Sequence, residues 1–176
     1  MSLRHALLGL LADRPRTGYE LLKLFEQSLA HVWPARHGQI YPELARLRED
    51  GLIELVNEGP RRSKTYAATE AGIAEVRRWL RDTEPERTIR NEAMLRVFFL
   101  WLLEPREAEE YLRRELEAHR ARLAEYEAMA AASRPASPKE RAFRIALEGG
   151  IRSRRAAVEW AEWAIRRVRA TARGRS

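Results

Sequence analysis

The chain has 176 residues, 45% of them apolar, which is enough for one domain or two small ones with real cores. It has no cysteine, which excludes a disulfide framework, a thiolate zinc site and a cysteine nucleophile, and suits a reducing cytoplasm. The net charge is +7, but residues 150–176 hold eight Lys and Arg against two Asp and Glu, so most of the basicity belongs to the C-terminal end.

Leu3 to Ala12 reads as an apolar first helix; Asp13, Arg14 and Pro15 stand where a leader peptide would need small residues, so no signal peptide is expected. Thr17 with Glu20 three residues on has the spacing of a capping box and opens a second helix, with Leu21, Leu24, Phe25, Ser28, Leu29 and Val32 as its buried stripe. Trp33 to Gly38 is a turn, because Pro34 disfavours helix at Trp33. The next helix covers about 38–50, with Pro42 in its first turn and Ile40, Leu44 and Leu47 directed to the core at i, i+4, i+7. Its opposite face presents Gln39, Tyr41, Glu43 and Arg46. Strands Leu52–Val56 and Lys64–Ala68 flank a tip carrying Arg61, Arg62 and Lys64, and Thr69 caps a fourth helix with Ile73, Val76, Trp79 and Leu80 on its inner side. Helix, turn, helix and basic hairpin in that order spell a winged helix-turn-helix.

A charged spacer, Arg81 to Arg87, separates this N-terminal domain (1–83) from a helical domain (88–170) and a basic tail (171–176). Helices are expected near 88–103, 105–132 and 139–170. The middle one repeats Leu112, Leu116, His119, Leu123, Tyr126 and Ala130 as a heptad seam, open to pairing between subunits or to packing inside one. The last has Phe143, Leu147, Ile151, Val158, Ala161, Ile165 and Val168 near one face, with Trp160 and Trp163 at its flanks. Gly149-Gly150 in its middle costs about 1 kcal/mol per glycine relative to alanine, which predicts a close neighbouring backbone or a ligand there. The expected fold is therefore mainly α: an N-terminal winged helix-turn-helix with a two-stranded wing, then an all-helical dimerisation domain.

These elements nominate double-stranded DNA as the partner. Gln39, Tyr41, Pro42 and Arg46 lie on the reading helix, where glutamine pairs with adenine in the major groove; Arg61, Arg62 and Lys64 on the hairpin suit phosphate oxygens. Leu112, Leu116, Leu123, Phe143, Leu147 and Trp160 are the candidate homodimer interface. Trp101, Trp160 and Trp163 are candidates for holding a small, flat aromatic effector. The four histidines include no i, i+4 pair, so no metal is expected. With no phosphate loop, dinucleotide fingerprint or Ser-His-Asp grouping, neither an enzyme nor a cofactor is expected. The longest apolar run, Val97 to Leu103, is too short to span a membrane. Arg166, Arg167, Arg169, Arg173 and Arg175 read as a frayed basic end. The competing reading is a helical protein-interaction module without specific DNA binding.

Gly18-Tyr19-Glu20-Leu21, Gly38-Gln39-Ile40-Tyr41-Pro42, Leu44 and Leu47 with Asp50-Gly51-Leu52-Ile53, and Tyr66 with Thr69 and Gly72 occur in an order that resembles the PadR family of bacterial transcriptional regulators. The resemblance covers residues 3–80, and 88–170 are similar to members with a long C-terminal domain. It implies a winged-helix N-terminus, dimerisation through the C-terminal helices, and promoter repression relieved by a small effector. Gln39 departs from the small hydroxyl residue common in the family, which implies a different base preference at that position.

Overall fold

In the computed structural model, which describes residues 2–25, 37–59, 63–87 and 90–173, the chain divides into two units, Met1–Arg87 and Thr88–Ser176. The first contains α1 (Ser2–Asp13), β1 (Arg16–Thr17), α2 (Gly18–Leu24), α3 (His37–Glu49), β2 (Ile53–Gly59), β3 (Ser63–Ala68) and α4 (Glu70–Asp82). Leu7, Leu8, Leu11, Leu21, Phe25, Ile40, Leu44, Leu47 and Ile53 form its core, drawn from α1, α2, α3 and β2. The capping box opens α2: the Glu20 amide donates to Thr17 Oγ1 at 3.2 Å, and the Thr17 amide donates to Glu20 Oε2 at 2.7 Å.

The wing hairpin belongs to a three-stranded antiparallel sheet of order β1-β3-β2, one strand more than the sequence pattern suggests. β1 has only two residues, too few to show alternation; it pairs Arg16 with Tyr66 and Thr17 with Thr65. Arg16 is buried, and its charge is met by Asp13 Oδ2 at 2.7 Å and the Leu10 carbonyl at 3.3 Å, which tie β1 to the end of α1. The β2–β3 register shifts between Leu55 and Asn57, leaving Val56 exposed at the bulge.

Asp50-Gly51-Leu52 stops α3 by hydrogen bonding. The Leu52 amide returns to the Leu47 carbonyl at 2.9 Å and the Gly51 amide to the Arg48 carbonyl at 3.0 Å, the pair of bonds of a Schellman motif, with Gly51 in the left-handed region at φ 69°. Thr69 locks this stop to α4. Its amide donates to the Leu52 carbonyl at 3.1 Å, its hydroxyl donates to the Gly51 carbonyl at 2.9 Å, and the same hydroxyl accepts the Gly72 amide at 3.1 Å. Gly72 is glycine because a Cβ there would overlap the Leu52 carbonyl. α4 is also fixed to α1, where the buried His5 ring stacks on Trp79 with centroids 4.7 Å apart and meets Glu75 Oε1 at 3.2 Å.

Two expectations change. α3 begins at His37, so Pro42 lies inside the helix rather than in its first turn. There proline has no N–H to donate to the carbonyl of Gly38, four residues back. Leu80 does not join the inner stripe of α4 but is 68% exposed. Ser28, Leu29, Val32 and the turn from Trp33 to Arg36 lie outside the described residues, as do Arg61 and Arg62.

The second unit contains α5 (Glu92–Val97), a 3₁₀ turn at Leu100–Leu102, α6 (Pro105–Ala132) and α7 (Pro138–Arg173). The expected helix through residue 103 ends early because Val97 to Leu103 is apolar on every side and offers no stripe to hold a helix against a core. Long α6 and α7 pack together through Tyr111, Leu112, Leu116, Ala161, Ala164 and Ile165 near one end, and through Tyr126, Leu147 and Ile151 near the other. Gly150 admits the Tyr126 ring: a Cβ there would lie 3.0 Å from Tyr126 Cε2. The neighbour that accounts for Gly150 is a side chain rather than the backbone expected, and Gly149 meets nothing within 4 Å.

Candidate nucleic-acid interface

Burial of Ile40, Leu44 and Leu47 fixes the rotation of α3, and the period of 3.6 residues then turns Gln39, Tyr41, Pro42 and Arg46 outward. Tyr41 is 43% exposed. Arg46 donates to Glu43 Oε2 at 3.4 Å, and the other Glu43 oxygen lies 3.8 Å from Arg4 Nη1, so two arginines balance the carboxylate on this helix. Arg4 also donates to Asp50 Oδ2 at 2.7 Å, holding the N-terminal part of α1 against the end of α3. The face offers an amide, a phenol and a guanidinium, groups that read base edges or bind phosphate.

Lys64 is exposed at the start of β3, beside the wing tip. α2 adds two residues that were not among the expected contacts: Tyr19 is exposed and Lys23 Nζ sits 4.8 Å over its ring. Gly18-Tyr19-Glu20-Leu21 was the signal, but with capping and core packing explaining Glu20 and Leu21, nothing in the spacing distinguished an outward Tyr19. The Thr17 amide and hydroxyl hold the Glu20 carboxyl below the usual carboxylate range, so it stays charged as a cap rather than serving as an acid.

Leu112, Leu116 and Leu147 are buried between α6 and α7 of the same chain, with Leu123 and Trp160 packed against those clusters, so the seam contributes to the core of the protomer. Phe143 is partly exposed. The large uncovered apolar side chains concentrate elsewhere, at Leu95, Phe98, Phe99, Trp101, Leu102 and Leu103 around the end of α5. Of the three tryptophans expected at an effector site, Trp101 is 76% exposed, Trp163 is exposed with Arg167 stacked 5.9 Å from its ring, and Trp160 is half-buried. Grooves along α6 and α7 are lined instead by charged groups, Arg106, Glu109, Arg113 and Arg169 in one and Glu127, Arg144 and Arg155 in another.

Arg169 is not a frayed, unrelieved charge. It donates to Glu109 at 2.7 Å, and together with Arg113 it draws the Glu109 carboxyl down to about 2. His119 accepts from Arg154 at 3.3 Å, and burial followed by the Arg154 charge lowers its pKa, so the seam holds a neutral imidazole. Among the described residues there is no cluster of three or more His, Cys, Asp or Glu placed to hold a metal, and no helix is long and apolar enough to cross a membrane.

Two family models match in tandem. Residues 7–78 match the transcriptional regulator PadR-like family, and residues 89–169 match the virulence activator alpha C-terminal family. The chain is similar to the negative transcriptional regulator PadR of Bacillus subtilis, at 32% identity over 143 residues that cover 77% of this chain and 79% of that one. Among solved structures it is similar to Bacillus subtilis PadR in complex with operator DNA, with TM-score 0.85 and 28% identity. It is also similar to the same protein in complex with p-coumaric acid, with TM-score 0.82 and 28% identity; each comparison covers 96% of this chain and 99% of the other.

Proposed function

Since this chain belongs to the PadR-like family of transcriptional regulators, we propose that it is a homodimeric, sequence-specific DNA-binding repressor whose grip on its operator is released by a small aromatic effector. The observation that carries the reading is the division of α3 into a fully buried edge, Ile40, Leu44 and Leu47, and an exposed edge bearing Gln39, Tyr41, Pro42 and Arg46. α3 enters the major groove with Gln39 at the bases, and the wing, through Arg61, Arg62 and Lys64, follows the phosphates. Tyr19 and Lys23 on α2 extend the phosphate contact. The relative bound to operator DNA supports the partner, the one named a negative regulator supports the sign of the effect, and the complex with p-coumaric acid supports an aromatic effector. A cytoplasmic place of work follows from that role.

Dimerisation assigns a use to the apolar cluster around α5. A second copy covers Phe98, Phe99, Trp101 and Leu102, and two-fold symmetry sets two α3 helices about one helical turn of DNA apart. The test is a gel shift on the duplex upstream of the protein's own coding region, with random duplex as competitor. A specific shift that weakens by about 10³ to 10⁵ between 50 and 200 mM salt, as contacts to roughly 6–10 phosphates require, supports the reading. A shift erased equally by random duplex supports the helical interaction module instead.

A further inference from the structure

Tyr41 does not project from α3 unsupported: its ring lies across the backbone of Gly18, the first residue of α2. A Cβ built on Gly18 would stand 2.7 Å from Tyr41 Cε1, 3.1 Å from Cζ and 3.3 Å from the hydroxyl oxygen. Gly18 is buried, and the only glycine with positive φ among the described residues is Gly51, so Gly18 needs no special backbone conformation. Its neighbours give it no other reason to lack a side chain, since helix formation favours alanine over glycine. By contrast Gly9 and Gly38 face open space, and Gly72 faces backbone.

We propose that Gly18 is a positioning residue for DNA binding, the seat that places the Tyr41 ring between the two helices of the helix-turn-helix so that its hydroxyl edge meets the duplex at a fixed distance from Gln39. This rests on the DNA-binding reading above. The physical argument is one of which partner gives way. At Gly72 the obstructing atom is a carbonyl of the chain, and a side chain there breaks the fold. At Gly18 the three nearest atoms all belong to one side chain, so an added methyl swings the ring off its seat and leaves α2, with its Thr17–Glu20 cap, in place. Glycine at this position therefore serves the interface more than the core.

The experiment measures affinity of the full-length protein for the bound upstream duplex by fluorescence anisotropy, with thermal midpoints recorded alongside, for Gly18→Ala, Tyr41→Phe and the double variant. Gly18→Ala is expected to weaken binding about tenfold, the size of one lost charge-assisted hydrogen bond, with the midpoint unchanged or raised. Tyr41→Phe is expected to weaken it to a similar degree, and the double variant to bind no worse than either single one, because both remove the same contact. Should Gly18→Ala instead lower the midpoint, adding Tyr41→Leu must restore it while affinity stays low. The proposal is overturned if Gly18→Ala binds within twofold of wild type, if the two losses multiply, or if Tyr41→Leu fails to restore a lowered midpoint. Wild-type protein that ignores the duplex overturns the DNA reading itself; wild-type binding with unmoved Gly18→Ala overturns only the seat.

Discussion

Replacing Phe98 by serine and, separately, Leu112 by alanine distinguishes a surface awaiting a partner from a seam already closed. Phe98 is 73% exposed and Leu112 is 1% exposed. Full burial of such a side chain is worth about 1.5–3 kcal/mol, so roughly 1–2 kcal/mol remains for Phe98 to gain on association. A two-fold interface counts it twice, giving roughly 2–4 kcal/mol per dimer, or about 30- to 1,000-fold in the dimer dissociation constant. Leu112→Ala instead opens a cavity inside the helix pair and costs about 2–5 kcal/mol of protomer stability. Sedimentation equilibrium across protein concentration, paired with urea unfolding at the lowest concentration, reads both effects. Phe98→Ser shifts the dimer constant and leaves dilute-protein stability within about 0.5 kcal/mol, while Leu112→Ala lowers stability at every concentration. A dimer constant unchanged within threefold for Phe98→Ser, or a stability loss equal to that of Leu112→Ala, refutes the assignment of the α5 cluster to the interface.

At the end of α3, Gly51→Ala meets no atom within 4 Å, so it suffers only the left-handed backbone penalty of about 1–2 kcal/mol, offset by about 0.4–1 kcal/mol from a stiffer unfolded chain. Thermal unfolding should therefore rank Gly51→Asn above Gly51→Ala and both far above Gly72→Ala; equal loss at positions 51 and 72 contradicts the distinction between conformation and contact. Glu109 titrates at about 2 when folded and near the ordinary carboxylate value when unfolded, so its contribution is full above pH 4.5 and disappears as pH falls toward 2. Arg169→Ala should raise the Glu109 pKa seen by NMR titration and flatten the loss of stability between pH 4.5 and 2; an unmoved pKa removes Arg169 as its main cause. On operator duplexes, Lys64→Ala should weaken all sequences alike, whereas Gln39→Ala should relax preference at one or two base pairs. Competition binding with single-base variants decides, and a uniform loss for Gln39→Ala contradicts base reading.

Much of the N-terminal unit was legible because its punctuation is local. Thr17 and Glu20 announce the start of α2, Gly51 announces the end of α3, and Ile40, Leu44 and Leu47 fix which side is wet. Each signal acts within one helical turn, so no tertiary knowledge was needed. Pro42 misled about the start of α3 because a proline preference for the first turn is only a preference, and the helix tolerates it one turn further in. β1 was invisible because its two residues owe their strand geometry to Tyr66 and Thr65 across the sheet. The heptad pattern of Leu112, Leu116 and Leu123 was real, but a seam specifies a partner surface without saying whose it is; α7 of the same chain supplies it. The apolar run from Val97 to Leu103 gave the opposite difficulty, for with no polar side it encoded neither a helix length nor an orientation.

The most direct measurement is a hydroxyl-radical footprint of the protein on the duplex upstream of its own coding region. Two protected patches on one face of the DNA, centred about 10–10.5 base pairs apart, are what a pair of α3 helices set by a two-fold dimer must leave. A single patch, or protection spread evenly along the duplex, would contradict the account.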